Sequence, residues 1–344
     1  MAKNNVNKAY WAPLWHIYQP PVQTKEWLLK IANESYRKII QVYLKHPKAK
    51  LTLNINASLT LLLVKHNLLD IIEGFKKLAK RNQLEFVSTT AYHAICPLLP
   101  EEEIIHQIKL NDKINKKYFG KYYKPKGVWL PEMAYNKNVI KAVVKAGYEW
   151  VPLAGVASNG RWSNKNYSVV NDDEYSLKII FRDDINSLNI AFGKVDGNFV
   201  DELKNKKGTF CFTAMDGETI GHHVKDMDLF LDKTLTEIEK DKELETITVS
   251  KIFELFSSNG LIEAFPSSWS TTFDDIQSEN YFPLWLEKNK EPFRTVHKLA
   301  WEHLYLLINT LKDASDKARS EYSRNLVEEA RSLLDQGEHS CMFW

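Results

Sequence analysis

The alternation of short apolar runs with longer helix-like stretches is the feature that most limits how this chain can fold. Seven runs are short and bounded by Pro, Gly, Asn or charged residues, as buried strands are; they lie at residues 11–17, 50–55, 84–89, 127–130, 150–153, 178–181 and 209–214. Helix-like stretches separate most of them, at residues 35–44, 58–79, 101–118 and 136–146. Strands that alternate with helices form parallel sheets, so the pattern predicts an α/β fold, a (β/α)7 pseudo-TIM barrel.

The pattern changes further along the chain. Residues 156–175 are rich in Asn, Ser and Gly and contain Trp162, which indicates an elaborated loop. Beyond about Asp228 the sequence is mostly helical: residues 296–311 are strongly apolar, and an apolar stripe follows on a charged helix that we expect Gly337 to end as a left-handed cap. The stripe consists of Tyr322, Leu326, Leu333 and Leu334.

The length of the chain allows either one large domain or two smaller ones. With 344 residues, 44% of them hydrophobic, the chain can bury the core of one large domain or of two ordinary ones. We predict a catalytic barrel over residues 1–228 and a mainly helical subdomain, packed against the barrel, over residues 229–344.

Charge and cysteine content exclude several classes of protein. The 46 Lys and Arg residues nearly balance 44 Asp and Glu, so no strong field favours nucleic acid or an anionic membrane as a partner. The three cysteines are odd in number and far apart, which indicates a reducing compartment. The first ten residues are polar, and no run of 18 apolar residues occurs. We therefore predict a cytoplasmic protein that does not bind a membrane.

Carboxylates and aromatic side chains follow the predicted strands, where α/β barrels place their active sites. These residues are His16, Tyr18 and Gln19 after the first strand, Glu85 in the third, Trp129 and Glu132 in and after the fourth, and Asp216, Glu218, His222 and His223 after the last. A carboxylate after an apolar strand is costly unless it is compensated. Any one of the four could be a salt bridge at the barrel rim, but four together suggest chemistry. A carboxylate pair beside an aromatic platform is what cleavage of a glycosidic bond requires.

These residues resemble the motifs of glycoside hydrolase family 57, a family of α-glucan-active enzymes. Gln19 and Pro20 resemble the first motif of the family. Residues 82–87 (Asn-Gln-Leu-Glu-Phe-Val), 127–132 (Gly-Val-Trp-Leu-Pro-Glu) and 216–221 (Asp-Gly-Glu-Thr-Ile-Gly) resemble its second, third and fourth motifs. Each match is short, but all four occur in the family's order and spacing over about 200 residues.

The resemblance implies an activity and assigns roles to residues. It implies retaining hydrolysis or transfer of α-1,4-glucans without a metal or other cofactor, with Glu132 as the nucleophile and Asp216 as the general acid/base. A retaining reaction requires these carboxyl groups to lie about 5 to 5.5 Å apart. The remaining residues assigned to substrate binding are His16, Tyr18, Gln19, Glu85, Trp129, Glu218, His223 and Trp269.

The chain departs from the family pattern at three places. Tyr18 precedes Gln19 where the family usually has His, and His16 stands two positions earlier on the same face of the strand, so either side chain could donate to a sugar hydroxyl. His222 and His223 stand where many relatives carry an aromatic residue. Residues 339–344 resemble the fifth motif, within which the chain ends, so we expect either a longer protein or a minimal form. Trp269, flanked by Ser and Thr, is a candidate for stacking on a sugar.

Two other classes of function stay open at this point. Related seven-stranded barrels include metal-dependent polysaccharide deacetylases and α-mannosidases, and His16, His93, His222, His223 and Asp216 could supply metal ligands. The sequence has no HxxxH or HExxH pair on a helix, so we predict no metal. A non-catalytic glucan-binding protein is the second alternative. The choice between hydrolysis and transfer, the linkage specificity and the oligomeric state do not follow from the sequence.

Overall fold

The computed structural model describes residues 7–195 and 199–344, and these residues contain nine strands. The strands are β1 (Ala9–Ile17), β2 (Leu51–Ile55), β3 (Leu84–Val87), β4 (Trp150–Leu153), β5 (Tyr167–Asn171), β6 (Ser176–Phe181), β7 (Phe210–Asp216), β8 (Leu244–Thr246) and β9 (Ser258–Leu261). Six of the seven predicted strands therefore occur within a few residues of their predicted bounds.

The strands form two sheets that are joined into a barrel. The first sheet has the parallel order β3-β2-β1-β7, and the second has the order β4-β6-β5-β9. Isolated pairs, Ser88 with Val128 and Gly127 with Trp150, join β3 to β4 in place of the predicted fourth strand. On the other side, the Asp183 amide donates to the Phe212 carbonyl at 2.8 Å and so joins the end of β6 to β7. The predicted seven-stranded barrel is confirmed.

Thirteen helices of the described residues surround these sheets or follow them. They are α1 (Lys25–Ile31), α2 (Arg37–Lys45), α3 (Ala57–Lys65), α4 (Leu69–Lys80), α5 (Glu101–Phe119), α6 (Val139–Lys145), α7 (Asp184–Ala191), α8 (Phe199–Lys204), α9 (Met227–Lys240), α10 (Val249–Leu255), α11 (Phe273–Gln277), α12 (Phe293–Lys317) and α13 (Glu321–Gly337). A single predicted helix over residues 58–79 is two helices, because Asn67 has a left-handed backbone (φ 59°) that ends α3.

Two other local predictions were wrong. The segment 156–175 is not all loop: β5 lies within it and pairs antiparallel with β6. Gly337 is the last residue of α13 and does not have the left-handed backbone expected of a cap. The proposed division of the chain at residue 228 stays a prediction. Beyond it, β8 pairs with β1 and β9 pairs with β5, so this part of the chain also extends both sheets.

The alternation of side chains along the strands separates two cores. Tyr10, Ala12 and Leu14 of β1 belong to the cluster inside the barrel, whereas Trp11 and Trp15 belong to the cluster between the sheet and the outer helices. Burying each large apolar side chain contributes roughly 1.5 to 3 kcal/mol. The next inward position of β1 is His16, a polar residue. The apolar interior therefore ends at the carboxyl ends of the strands, where polar side chains surround the opening of the barrel.

Helices α12 and α13 both contact the region around α5: Tyr305 Oη donates to the Leu98 carbonyl, and Arg331 pairs with Glu103. Trp301 stacks on Phe343 with ring centroids 4.1 Å apart and donates to the Trp285 carbonyl. Of the apolar stripe predicted on α13, only Leu334 is buried. None of the helices in the described residues combines the length and apolar character needed to cross a lipid bilayer.

Candidate active site

A cavity of about 880 Å³ opens at the carboxyl ends of the strands. Eight of the ten residues assigned to the site from the sequence line it: His16, Tyr18, Gln19, Glu132, Asp216, Glu218, His223 and Trp269. The register explains part of this convergence, since His16 at the end of β1 lies beside Asp216 at the end of β7. Volumes of this size are typical of sites that hold small organic ligands.

Glu132 lies on a tight turn after Pro131 rather than on a strand. Its backbone is left-handed (φ 59°), as is that of Met133 (φ 50°), and such conformations cost of order 1–3 kcal/mol each for residues other than glycine. Strain of this kind persists where the surrounding structure imposes it. The turn aims the Glu132 carboxyl group into the cavity, where the side chain is about one fifth exposed.

Trp269 holds Glu132 through two hydrogen bonds. The indole Nε1 donates to Glu132 Oε2 at 2.7 Å, and the Trp269 amide donates to the Glu132 carbonyl at 3.0 Å. The sequence predicted Trp269 to stack on a sugar; the structure places it in the cavity wall as a hydrogen-bond donor to a carboxylate. The other oxygen, Oε1, lies 3.8 Å from His93 Nδ1.

The charge of Asp216 affects the ionisation of Glu132. Burial, followed by the charge of Asp216, raises the pKa of Glu132 to about 8, while the Trp269 hydrogen bond acts in the opposite direction. Burial raises the pKa of Asp216 to about 6, and the Arg182 guanidinium opposes that shift. The two carboxyl groups therefore form an interacting pair that holds one proton near neutral pH.

Glu218 is a third buried carboxyl group, and Gln19 of the first motif and Tyr36 hold it. Tyr36 Oη donates to Glu218 Oε1 at 2.5 Å, and Gln19 Nε2 donates to the same oxygen at 3.0 Å. Burial and the charge of Asp216 raise the pKa of Glu218 to about 8. The Gln19 side chain is thus hydrogen-bonded to Glu218 within the protein.

His16 is engaged on both ring nitrogens. Its Nδ1 lies 2.5 Å from Asn54 Oδ1, and its Nε2 lies 3.0 Å from His93 Nε2. Burial lowers the pKa of His16 to about 4, so the ring is neutral near pH 7. Trp129 stacks under this ring with centroids 5.1 Å apart and is fully buried, so it supports His16 from below and does not line the cavity.

Glu85 lies away from the cavity, contrary to the sequence-based assignment to the sugar subsite. It is the second residue of β3, paired with Thr52, and it accepts from the Ser250 amide at 3.1 Å. Thr52 is in turn in register with Leu14, two residues below His16. Glu85 therefore faces the barrel interior, one layer of side chains below His16. There it accepts a hydrogen bond from the first turn of α10.

Two further predicted residues separate in the structure. His223 lines the cavity, and burial lowers its pKa. His222 instead pairs with Glu34 at 2.6 Å, outside the cavity lining. In the described ranges, the one group of three side chains close enough to share a metal is Glu103, His106 and Asp335, outside that lining as well.

Several residues of the site were missed from the sequence. Arg182 follows β6 directly, is 3% exposed and lines the cavity; its Nε donates to the Ala214 carbonyl at 2.7 Å. Reading strand ends for cations as well as carboxylates would have found it. Asn54 had no such signal, and the sequence suggested His93 only as a possible metal ligand. At the C-terminus, the turn at Ser340–Met342 brings Cys341 to the cavity, and Trp344 lines it too.

The fold and this site define a class of protein: an α/β barrel with buried, interacting carboxyl groups at the ends of its strands. Residues 7–264 match the model of Glycosyl hydrolase family 57, which is more than half of the chain. The chain belongs to that family.

Individual relatives agree with this membership. A putative alpha-amylase of Methanocaldococcus jannaschii is 25% identical over 327 residues, which cover 89% of this chain and 66% of the relative. Alpha-amylase 1 of Dictyoglomus thermophilum is 35% identical over 138 residues, which cover 40% of this chain and 19% of the relative. The chain therefore spans less than two thirds of either relative.

Solved structures support the fold at lower identity. The crystal structure of 4-alpha-glucanotransferase from Thermococcus litoralis matches with a TM-score of 0.77 at 18% identity, covering 98% of this chain and 56% of that one. A branching enzyme from Pyrococcus horikoshii matches with a TM-score of 0.80 at 15% identity, covering 96% and 84%. These similarities show a shared fold.

Proposed function

We propose that this protein is a retaining enzyme that hydrolyses or transfers α-1,4-linked glucose chains, with Glu132 as nucleophile and Asp216 as general acid/base. The observation that carries the proposal is the pair of carboxyl groups, Glu132 and Asp216, that line one cavity, where the charge of Asp216 helps to raise the pKa of Glu132. Retaining reactions need one carboxylate and one carboxylic acid at the reacting carbon.

The reaction would proceed in two steps. Glu132 Oε1, the oxygen that Trp269 leaves free, attacks the anomeric carbon while the bond to the leaving oxygen breaks and Asp216 protonates that oxygen. Asp216 then removes a proton from water or from a sugar hydroxyl, whose oxygen displaces Glu132 from the anomeric carbon. The first acceptor gives hydrolysis and the second gives transfer.

The proton of the pair must lie on Asp216 when the sugar is bound. In the empty cavity Glu132 has the higher pKa, about 8 against about 6 for Asp216. The glycosidic oxygen offers Asp216 a hydrogen-bond acceptor, and the Trp269 donor favours the ionised form of Glu132. Substrate binding would therefore move the proton from Glu132 to Asp216.

The neutral character of an α-glucan agrees with the net charge of +2, since no field is needed to attract it. The relatives are described as amylases, a glucanotransferase and a branching enzyme, which makes an α-glucan the natural first substrate to test.

Incubating maltoheptaose with the wild type, Glu132→Gln and Asp216→Asn tests the proposal. We expect both variants to lose activity by about 100-fold or more, because each removes a group that acts in the transition state. Shorter products indicate hydrolysis, and products longer than seven glucose units indicate transfer. The proposal would be contradicted if Glu132→Gln were as active as the wild type. It would also be contradicted if a chelator abolished the activity of the wild type.

Azide separates the two carboxyl roles. In Glu132→Gln, azide would attack in place of the missing nucleophile and give a β-glycosyl azide; in Asp216→Asn, it would attack the glycosyl-enzyme and give the α-anomer. An aryl maltoside with a good leaving group should restore the first step in Asp216→Asn alone. The opposite pattern would exchange the two roles.

A further inference from the structure

His93 is a buried histidine at the cavity that the proposed reaction does not use. It is 1% exposed, has a left-handed backbone (φ 61°) and lies in the loop between β3 and α5. Its Nε2 is 3.0 Å from His16 Nε2, and its Nδ1 is 2.8 Å from Ser340 Oγ and 3.8 Å from Glu132 Oε1. Tyr18 stacks on the ring with centroids 4.1 Å apart. Both nitrogens of the His93 ring and one of its faces therefore contact residues that line the cavity.

The contacts form a chain of four side chains, Asn54, His16, His93 and Ser340. Burial lowers the pKa of both histidines, so each ring carries one proton near neutral pH. Two neutral rings joined through their Nε2 atoms share a single proton there. The proton positions along the whole chain then follow from the group that Asn54 presents to His16 Nδ1.

The partners of the Asn54 amide decide between the two possible chains. With its oxygen toward His16, Asn54 leaves its Nδ2 buried without a hydrogen-bond partner in the part of the chain that the structure describes. Buried donors without a partner are rare and cost about 1 to 3 kcal/mol. Rotating the amide so that Nδ2 donates to His16 Nδ1 gives that donor a partner and leaves Oδ1 in its former place; a buried carbonyl oxygen without a partner is less rare than a buried N–H without one. His16 then donates from Nε2 to His93 Nε2, and His93 carries its proton on Nδ1.

We propose that His93 is a positioning residue for Glu132, holding an N–H on Nδ1 that is directed at Ser340 Oγ and at the Oε1 side of the carboxylate. This inference rests on the proposed function of Glu132. Trp269 already donates to Oε2, and the His93 N–H, which donates to Ser340 Oγ, lies 3.8 Å from Oε1, where its dipole would favour one orientation of the other end of the carboxyl group. Because the side chains of Asn54, His16, His93 and Ser340 are all neutral, this arrangement buries no additional charge.

His93 also contacts the C-terminal turn at Ser340–Met342. The Ser340 amide donates to the His93 carbonyl at 3.1 Å, in addition to the side-chain contact. This turn carries Cys341 into the cavity lining. The charged or titratable groups that face His93 are His16, Glu132, Tyr18 and His339. His93 therefore connects the nucleophile to a wall formed about 200 residues later in the chain.

Nitrogen NMR of the histidine side chains tests the proton assignment directly. In the wild-type protein at pH 7 we expect the proton of His93 on Nδ1 and that of His16 on Nε2, with signals assigned from His93→Asn and His16→Asn. A proton on His93 Nε2 would overturn the proposal. Because this measurement needs no turnover, it stands even if maltoheptaose is not a substrate, which would count against the proposed function instead.

Two matched substitutions test the effect on Glu132. His93→Asn keeps an N–H near the position of Nδ1, whereas His93→Gln places its amide near the position of Nε2. We expect His93→Gln to lower kcat by about 10- to 100-fold with little change in KM, and His93→Asn to retain more activity. His46→Gln, a buried histidine paired with Asp232 outside the cavity lining, is the control and should leave kcat unchanged. Equal losses in the two His93 variants would contradict a role for Nδ1.

Discussion

Glu132 combines a left-handed backbone, burial and a neighbouring carboxyl group, and each of these costs folding free energy. The surrounding residues compensate through specific contacts: Trp269 donates to Glu132, and Tyr36 and Gln19 donate to Glu218. At the residue scale, the site is a group of three carboxyl side chains, Glu132, Asp216 and Glu218, whose pKa values are all raised. Raised values of this kind are typical of groups that must exchange protons near neutral pH.

The pH dependence of catalysis should follow from this pair. We expect a bell-shaped profile of kcat/KM, with limbs near the pKa values of about 6 for Asp216 and about 8 for Glu132. Below the lower limb both groups are protonated and no nucleophile is ionised. Above the upper limb both are ionised and no acid is left. Initial rates on maltoheptaose across this range measure the two limbs.

The rate should therefore fall again on the alkaline side. A value of kcat/KM that still rises above about pH 9 would show that the free enzyme does not need a protonated member of this pair.

At the scale of the elements, the period-two alternation of the strands carries the site. Inward residues pass from packed apolar side chains to His16 and Asp216 at the strand ends, so one register sets both core and cavity. Where the fourth predicted strand is reduced to two bridge pairs, the backbone approaches Trp150 closely. A Cβ at Gly127 would lie 2.2 Å from the indole ring.

Gly127→Ala should disturb this approach. The added methyl group cannot fit beside a fully buried ring, so we expect a loss of about 1 to 3 kcal/mol in the free energy of unfolding. Urea titration of the variant measures the loss. Gly337→Ala serves as a control, because a Cβ there meets open space at the end of α13. Equal stability of the two variants would show that the strand can move away from Trp150.

At the scale of the whole molecule, the C-terminal helices are joined to the barrel through a charged cluster. Arg331 of α13 pairs with Glu103 of α5 at 2.7 Å, and with Asp335 and Glu338 of its own segment. All three carboxyl groups are almost fully buried. The cluster lies just before the turn that reaches the cavity, so it links the packing of α13 to the site.

Arg331→Leu should weaken this junction. It leaves three buried carboxyl groups without their cation, for which we expect a loss of about 3 to 5 kcal/mol in stability at pH 7. Urea titrations at pH 7 and pH 5 measure the loss.

The exposed Arg324 on the same helix provides the matched control. Arg324→Leu should change stability by less than about 0.5 kcal/mol at either pH. A similar loss in both variants would mean that the helix surface, and not the buried cluster, responds to the substitution.

The sequence by itself determined the class of fold and eight of the residues that line the cavity. Strand and helix periods are local properties, and the carboxyl ends of parallel strands must meet at one edge, so His16, Glu132 and Asp216 could be placed together from their positions after apolar runs. The depth of each residue depends on register and turn geometry instead. Glu85 lies one layer too low because of the register of β3, whereas the left-handed turn at Glu132 and the contact with Trp269 raise that carboxyl group into the cavity. The chain from Asn54 through His93 to Ser340 joins segments up to 286 positions apart, and only the closed barrel brings them within hydrogen-bond distance.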